Sequence, residues 1–162
     1  MWKIPKSLII LLLCLNITAT QHEQFTIFTK IYIIPSKEIL IKKWSKIYDL
    51  DYSLVMAVVD LESNFDHKAK NPKSTSRGLF QFLKETTRFV GKMNGYNNLN
   101  HYEVPIEIQI ELGCRYIRWL LDKYEGNEQL AMREYSGGTK GYWKALEKRR
   151  IKYDLRSIKE ES

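Results

Sequence analysis

The sequence predicts a compact all-α domain, and three observations carry that prediction. Apolar residues recur at three- and four-residue intervals in successive segments, capping side chains and glycines stand at the segment ends, and no alternating stretch has a persuasive strand partner. No internal repeat and no low-complexity segment interrupts the series.

The elements follow in order. Residues 21–34, with Phe25, Ile27, Phe28, Ile31, Tyr32, Ile33 and Ile34, suit either an extended segment or a strap lying on the domain. Pro35-Ser36 then opens a helix through Ile39, Leu40, Trp44 and Ile47, with Ser36 as its N-cap. Asp51 caps the next helix, which runs to Glu62. After a turn-rich stretch from Asn64 to Arg77, the spacing of Leu79, Phe82, Leu83, Phe89 and Val90 predicts a third helix from Leu79 to Met93, with Gly95 just past its end.

Pro105 sits where a first-turn proline belongs and starts the longest helix, whose stripe of Ile106, Ile110, Gly113, Ile117, Leu120 and Tyr124 stops at Gly126. Within it, Gly113 would admit another helix at close range. Asn127 caps a short helix through Leu130, Ala131 and Tyr135, ended by Gly137-Gly138, and a basic helix runs from about Tyr142 to Arg150.

Compartment is legible at the start of the chain. Lys3 and Lys6 precede an apolar run from Leu8 to Leu15, and small residues near Ala19 and Thr20 suit cleavage, the layout of a secretory signal peptide. The expected organisation is a signal peptide at 1–20, an N-terminal extension at 21–35, one catalytic domain at 36–150 and a tail at 151–162. Cleavage would leave Cys114 as the sole cysteine, a buried small hydrophobe with no disulfide. The protein is then expected to be periplasmic or secreted, without a stable membrane span after cleavage; an uncleaved N-terminal anchor is the alternative.

The chain carries +7. Taking Lys3 and Lys6 from its 26 basic residues leaves 24 against 19 acidic ones, so the exported part stays basic and suits a polyanionic partner. The run from Lys144 to Arg150 reads as a solvated helix face. His22, His67 and His101 are widely separated, so no metal site is expected, and no cofactor motif or phosphate loop is present. Nucleic-acid binding would leave a buried acid unexplained.

That acid is Glu62. Leu54, Val58 and Glu62 share one helix face, so the carboxyl ends an apolar stripe and is expected to enter the cavity against which that stripe packs. Desolvation there raises its pKa and keeps it protonated for general-acid work; the alternative is an acid that turns out to water. Glu62-Ser63, Gly78-Leu79-Phe80-Gln81-Phe82 and Tyr135-Ser136-Gly137-Gly138 each place polar groups beside approachable backbone. Gln81 offers both a donor and an acceptor, which suits sugar hydroxyl and acetamido groups.

These blocks resemble the soluble lytic transglycosylase family, whose domain has a goose-lysozyme-like helical fold. The stretch from Tyr48 to Asp66 is similar to the family's apolar helix ending in Glu-Ser, Gly78-Leu79-Phe80-Gln81 to its Gly-Leu-Met-Gln block, and Tyr135-Ser136-Gly137-Gly138 to its Tyr-Asn-Ala-Gly block. The resemblance implies a lysozyme-like domain in which Glu62 is the single acid and base, Tyr135 orients it, and Gln81 contacts sugar. Ser63, Ser74, Phe80 and Ser136 complete the implied site. Ser136 replaces the family's Asn, Phe80 its Met, and Glu134 stands where Ala is common.

The implied reaction cleaves the β-1,4 bond between N-acetylmuramic acid and N-acetylglucosamine in peptidoglycan, leaving 1,6-anhydro ends. A hydrolytic muramidase of the same fold would need a second carboxylate. Asp60, Asp66, Glu85 and Glu134 are available but read as surface or turn residues, Glu134 being the first to test. A non-catalytic peptidoglycan-binding module is the other alternative. The implied partners are peptidoglycan glycan strands and a secretion, conjugation or phage envelope machine, with the protein itself a monomer.

Overall fold

The structure, a computed structural model, describes residues 36–160; the expected signal peptide (1–20) and N-terminal extension (21–35) lie outside the described residues. Six helices make up the described part: α1 (Lys37–Ile47), α2 (Tyr52–Ser63), α3 (Lys84–Met93), α4 (Ile106–Lys123), α5 (Glu128–Tyr135) and α6 (Tyr142–Glu160). The all-α class is as predicted, with two isolated antiparallel bridges and no strand among the described residues.

Three helix starts follow the capping chemistry of the sequence. Ser36 Oγ accepts from Ile39 N at 3.3 Å, Asp51 Oδ1 accepts from Ser53 N at 2.7 Å and Leu54 N at 3.3 Å, and Asn127 Oδ1 accepts from Leu130 N at 3.1 Å. Each side chain satisfies N–H groups that have no partner within the helix.

α2 is the buried axis of the domain: every residue from Ser53 to Val59 is buried. α6 lies along it, while α1 packs on α2 and α4, and α4 also receives α3 and α5. Ile110, Ile117 and Leu120 of the α4 stripe are fully buried. Cys114 is enclosed among them, and burial pushes its thiol up to about 12, so it packs as an apolar side chain.

The third predicted helix begins later than its spacing suggests. Gly78 (φ 74°) and Gln81 (φ 46°) are left-handed, so residues 78–83 turn sharply and α3 starts at Lys84. Leu79, Phe80 and Phe82 are buried all the same. Their apolar spacing reflects a turn folded onto the core, which periodicity alone cannot tell from a helix.

Two further corrections concern α4 and α6. The group that approaches Gly113 is the ring of Phe80, not another helix: a Cβ at Gly113 would lie 2.3 Å from that ring. α6 passes Arg150 and continues to Glu160, with Tyr153 only 2% exposed against the core. Arg150 also turns inward rather than lying on a solvated face. It donates to Ser53 Oγ at 3.2 Å and pairs with Asp51 and Glu128 at the starts of α2 and α5.

Candidate active site

Leu54 and Val58 are fully buried, and one turn later the same face of α2 delivers Glu62 into a cavity of about 600 Å³. α2 ends at once. Asn64 (φ 49°) and Phe65 (φ 62°) are both left-handed, which turns the chain away and leaves the carboxyl at the cavity wall. Burial pushes the Glu62 carboxyl above its ordinary range, and a hydrogen bond from Tyr142 offsets part of that rise. The Tyr142 hydroxyl donates to Glu62 Oε1 at 2.6 Å.

Tyr135 does not make that contact. Its hydroxyl donates to the Phe80 carbonyl at 2.8 Å, and its ring stacks beside Tyr142 at 6.2 Å between centroids. The reason is placement. Tyr135 closes α5 above the 78–83 turn, whereas Tyr142 opens α6, the helix that runs along α2 and so reaches Glu62. Tyr135 still lines the cavity, and burial together with the nearby Glu62 holds its phenol protonated.

The 78–83 turn forms the facing wall. Gln81 Nε2 donates to the carbonyls of Gly78 at 3.0 Å and Ala69 at 3.3 Å, which fixes the side chain at the cavity and occupies its donor end. Behind the turn, Gln109 of α4 accepts from Leu79 N at 2.9 Å through Oε1, while its Nε2 donates to Val104 O at 2.7 Å and His67 O at 3.2 Å. A Cβ at Gly78 would sit 2.3 Å from Gln109 Oε1, so only glycine permits this approach.

The serines divide. Ser136 reaches the cavity, its hydroxyl donating to Arg133 O at 3.1 Å. Ser63 and Ser74 do not line it: Ser63 Oγ bonds back to Val59 O at 3.0 Å, and Ser74 Oγ donates to Ser76 Oγ at 3.0 Å. Ser76 and Asn71 are the residues of that loop that line the cavity. Phe80 lines the cavity too, but at 3% exposure it chiefly supports the wall.

A family model described as the transglycosylase SLT domain matches residues 39–156, which spans all six helices nearly end to end. The chain belongs to that family. The SLT domain also shares its fold with the X-ray structure of an inactive mutant of the lytic transglycosylase Slt from Pseudomonas aeruginosa, at 22% identity and a TM-score of 0.58. That match covers 64% of this chain and 17% of the other, so this SLT domain corresponds to a small part of a much longer protein.

One other acid of the SLT domain lines the Glu62 cavity. Glu134 accepts from Lys123 Nζ through both oxygens, at 2.9 and 2.6 Å, and from the Tyr124 hydroxyl. These bonds hold it below the usual carboxylate range, the opposite direction from Glu62.

Sequence reasoning missed Tyr142, Ser76 and Gln109 as members or supports of this site. A signal existed for Tyr142. It follows Gly141 at a helix start, the same glycine-and-helix-end arrangement that singled out the other three segments.

Proposed function

We propose that the protein is a peptidoglycan lytic transglycosylase with Glu62 as its single acid and base. The observation that carries this reading is the Glu62–Tyr142 pair: a carboxyl desolvated enough to hold a proton, with a phenol placed to stabilise the carboxylate once that proton leaves.

The protonated Glu62 gives its hydrogen to the glycosidic oxygen, and the bond from C1 of N-acetylmuramic acid to that oxygen breaks. The acetamido oxygen of the same sugar closes on C1. Glu62, now an anion held by Tyr142, takes the proton from the muramyl C6 hydroxyl, and O6 displaces the acetamido oxygen from C1. A 1,6-anhydro ring results, Glu62 is protonated again, and no water is consumed. Gln81, with its nitrogen tied to the wall, presents its carbonyl oxygen to the sugar. Ser76 and Ser136 add hydroxyls.

No cofactor enters this scheme. A peptidoglycan substrate and the signal-like residues 1–20 support a site of action in the periplasm or outside the cell. A role in opening the wall locally for a secretion, conjugation or phage envelope machine is part of this proposal.

A hydrolytic reading has one observation in its favour, the presence of Glu134 on the cavity wall. Its two oxygens are engaged by Lys123, which leaves it poorly placed to activate water. Digestion of purified peptidoglycan, with products resolved by mass, separates the readings. Anhydro-muramyl ends are expected, and Glu62→Gln should lower the rate by about 10² to 10⁴. Reducing ends that vanish in Glu134→Gln would establish the hydrolase, and undiminished cutting by Glu62→Gln would remove the catalytic assignment. If both proteins bind sacculi and neither cuts, the domain is a binding module.

A further inference from the structure

A short ribbon separates the Glu62 cavity from a second one. The chain passes three times through it, with antiparallel bridges pairing Lys70 with Arg77 and Arg77 with Phe82. Gly78 N donates to Ala69 O at 2.9 Å, Asn71 N to Ser76 O at 3.2 Å and Arg77 N to Phe82 O at 3.1 Å. Neighbouring residues along such a ribbon face opposite sides. Asn71, Ser76 and Gln81 line the Glu62 cavity, while Lys70, Arg77 and Gly78 line a cavity of about 370 Å³ on the other side.

The second cavity is cationic at its walls and apolar within. Lys68, Lys70 and Arg77 face a single acid, Glu103, whose carboxylate accepts from Asn100 Nδ2 at 2.9 Å. Among the described residues neither Lys68 nor Lys70 has an ion-pair partner. Arg77 stacks over the Tyr102 ring at 5.5 Å, and Tyr102 is 57% exposed. Phe82 and Leu112 supply apolar surface.

We propose that this cavity binds the carboxylate-bearing stem peptide of peptidoglycan, a step that rests on peptidoglycan being the substrate. Lys68, Lys70 and Arg77 would take the carboxylates, and Tyr102 and Phe82 the methyl and methylene groups of the alanines and the diamino acid. Arg77 already donates to Ser76 O at 2.7 Å, but neutral sugar hydroxyls would leave the two lysine cations unmatched, and a polyphosphate chain would make no use of the apolar surface. Peptide held here would press on the same ribbon that presents Ser76 and Gln81 to the glycan. Gln81 Nε2 is bonded to Ala69 and Gly78, both of which line the second cavity, so the two sites share one wall.

The test is calorimetric titration of the full chain with free stem tetrapeptide, L-Ala-γ-D-Glu-diaminopimelate-D-Ala. Binding is expected to weaken with added salt, and in Lys68→Gln/Lys70→Gln to weaken about tenfold or more, as the loss of two charge-assisted contacts implies. Both lysines are exposed, so the melting temperature should hold. Absence of tetrapeptide binding, equal binding by the double variant, or displacement of the peptide by teichoic acid at lower concentration would each overturn the proposal. The two readings fail separately. If Glu62 cuts glycan but tetrapeptide ignores the lysines, only this site falls; if tetrapeptide binds through them and nothing is cut, only the catalytic reading falls.

Discussion

The hydroxyl of Tyr142 donates to the Glu62 carboxyl across 80 positions of sequence, at 2.6 Å. The bond stabilises the carboxylate form, while burial favours the acid form, so the residue we propose as acid and base is held between two opposed influences. Tyr142→Phe removes one of them. The Glu62 pKa should then rise further, the alkaline limb of the pH–rate profile should move upward, and kcat should fall by about 10- to 100-fold, the range of a hydrogen bond to a charged group. Steady-state rates across pH would read both effects.

Tyr135→Phe should behave differently. It releases the Phe80 carbonyl rather than Glu62, so the alkaline limb should stay in place while KM rises and stability drops by about 1 kcal/mol. An equal shift of the limb in both variants would contradict the division of roles between the two tyrosines.

The raised pKa of Glu62 also sets a pH dependence of stability. The folded protein binds this proton more tightly than the unfolded chain does, so the contribution is complete below the ordinary glutamate range and is lost as pH rises through the raised value. Glu62→Gln abolishes that loss. The melting temperature of the variant relative to the parent should therefore climb as pH rises from the ordinary glutamate range through the raised value, which a thermal scan at several pH values would measure.

Gly113→Ala would place a methyl group 2.3 Å from the Phe80 ring. Phe80 is 3% exposed and its carbonyl is held by Tyr135, so the ring has little freedom to retreat. Overpacking of this kind costs about 1–3 kcal/mol, which should exceed the gain of up to about 1 kcal/mol from alanine in a helix. Denaturant unfolding should show a lower midpoint. Turnover should fall with it, because the displaced turn carries Gln81.

Arg150→Ala should unfasten α6 from the starts of α2 and α5. The guanidinium joins Asp51, Glu128 and Ser53, and it steadies the helix whose first residue is Tyr142. A loss of about 1.5–3 kcal/mol is expected from hydrogen bonds to charged groups of this kind, with partial recovery in Arg150→Lys, which keeps the charge without the planar fork. Urea titration at low and high salt would measure it.

Much of this molecule is local and therefore legible in the sequence. Ser36, Asp51 and Asn127 cap the helices they were predicted to cap, because a cap is a contact between residues two or three apart. Spacing put Glu62 on the apolar face, since Leu54 and Val58 fix which way that face of α2 points. The order of the blocks around Glu62, Gln81 and Tyr135 also sufficed to suggest the family.

Contacts between distant segments were decided by the tertiary structure. Leu79, Phe80 and Phe82 have helical spacing, yet the left-handed turns at Gly78 and Gln81 and the hold of Gln109 make that stretch a wall. Two tyrosines seven positions apart stand close to glycines in the sequence, and only the course of α6 along α2 selects Tyr142 over Tyr135 as the partner of Glu62. The sequence by itself determined which carboxyl leaves the apolar stripe, because helix periodicity is a property of neighbours. Which hydroxyl meets that carboxyl depended on how two helices pack, and packing is settled by the whole core at once.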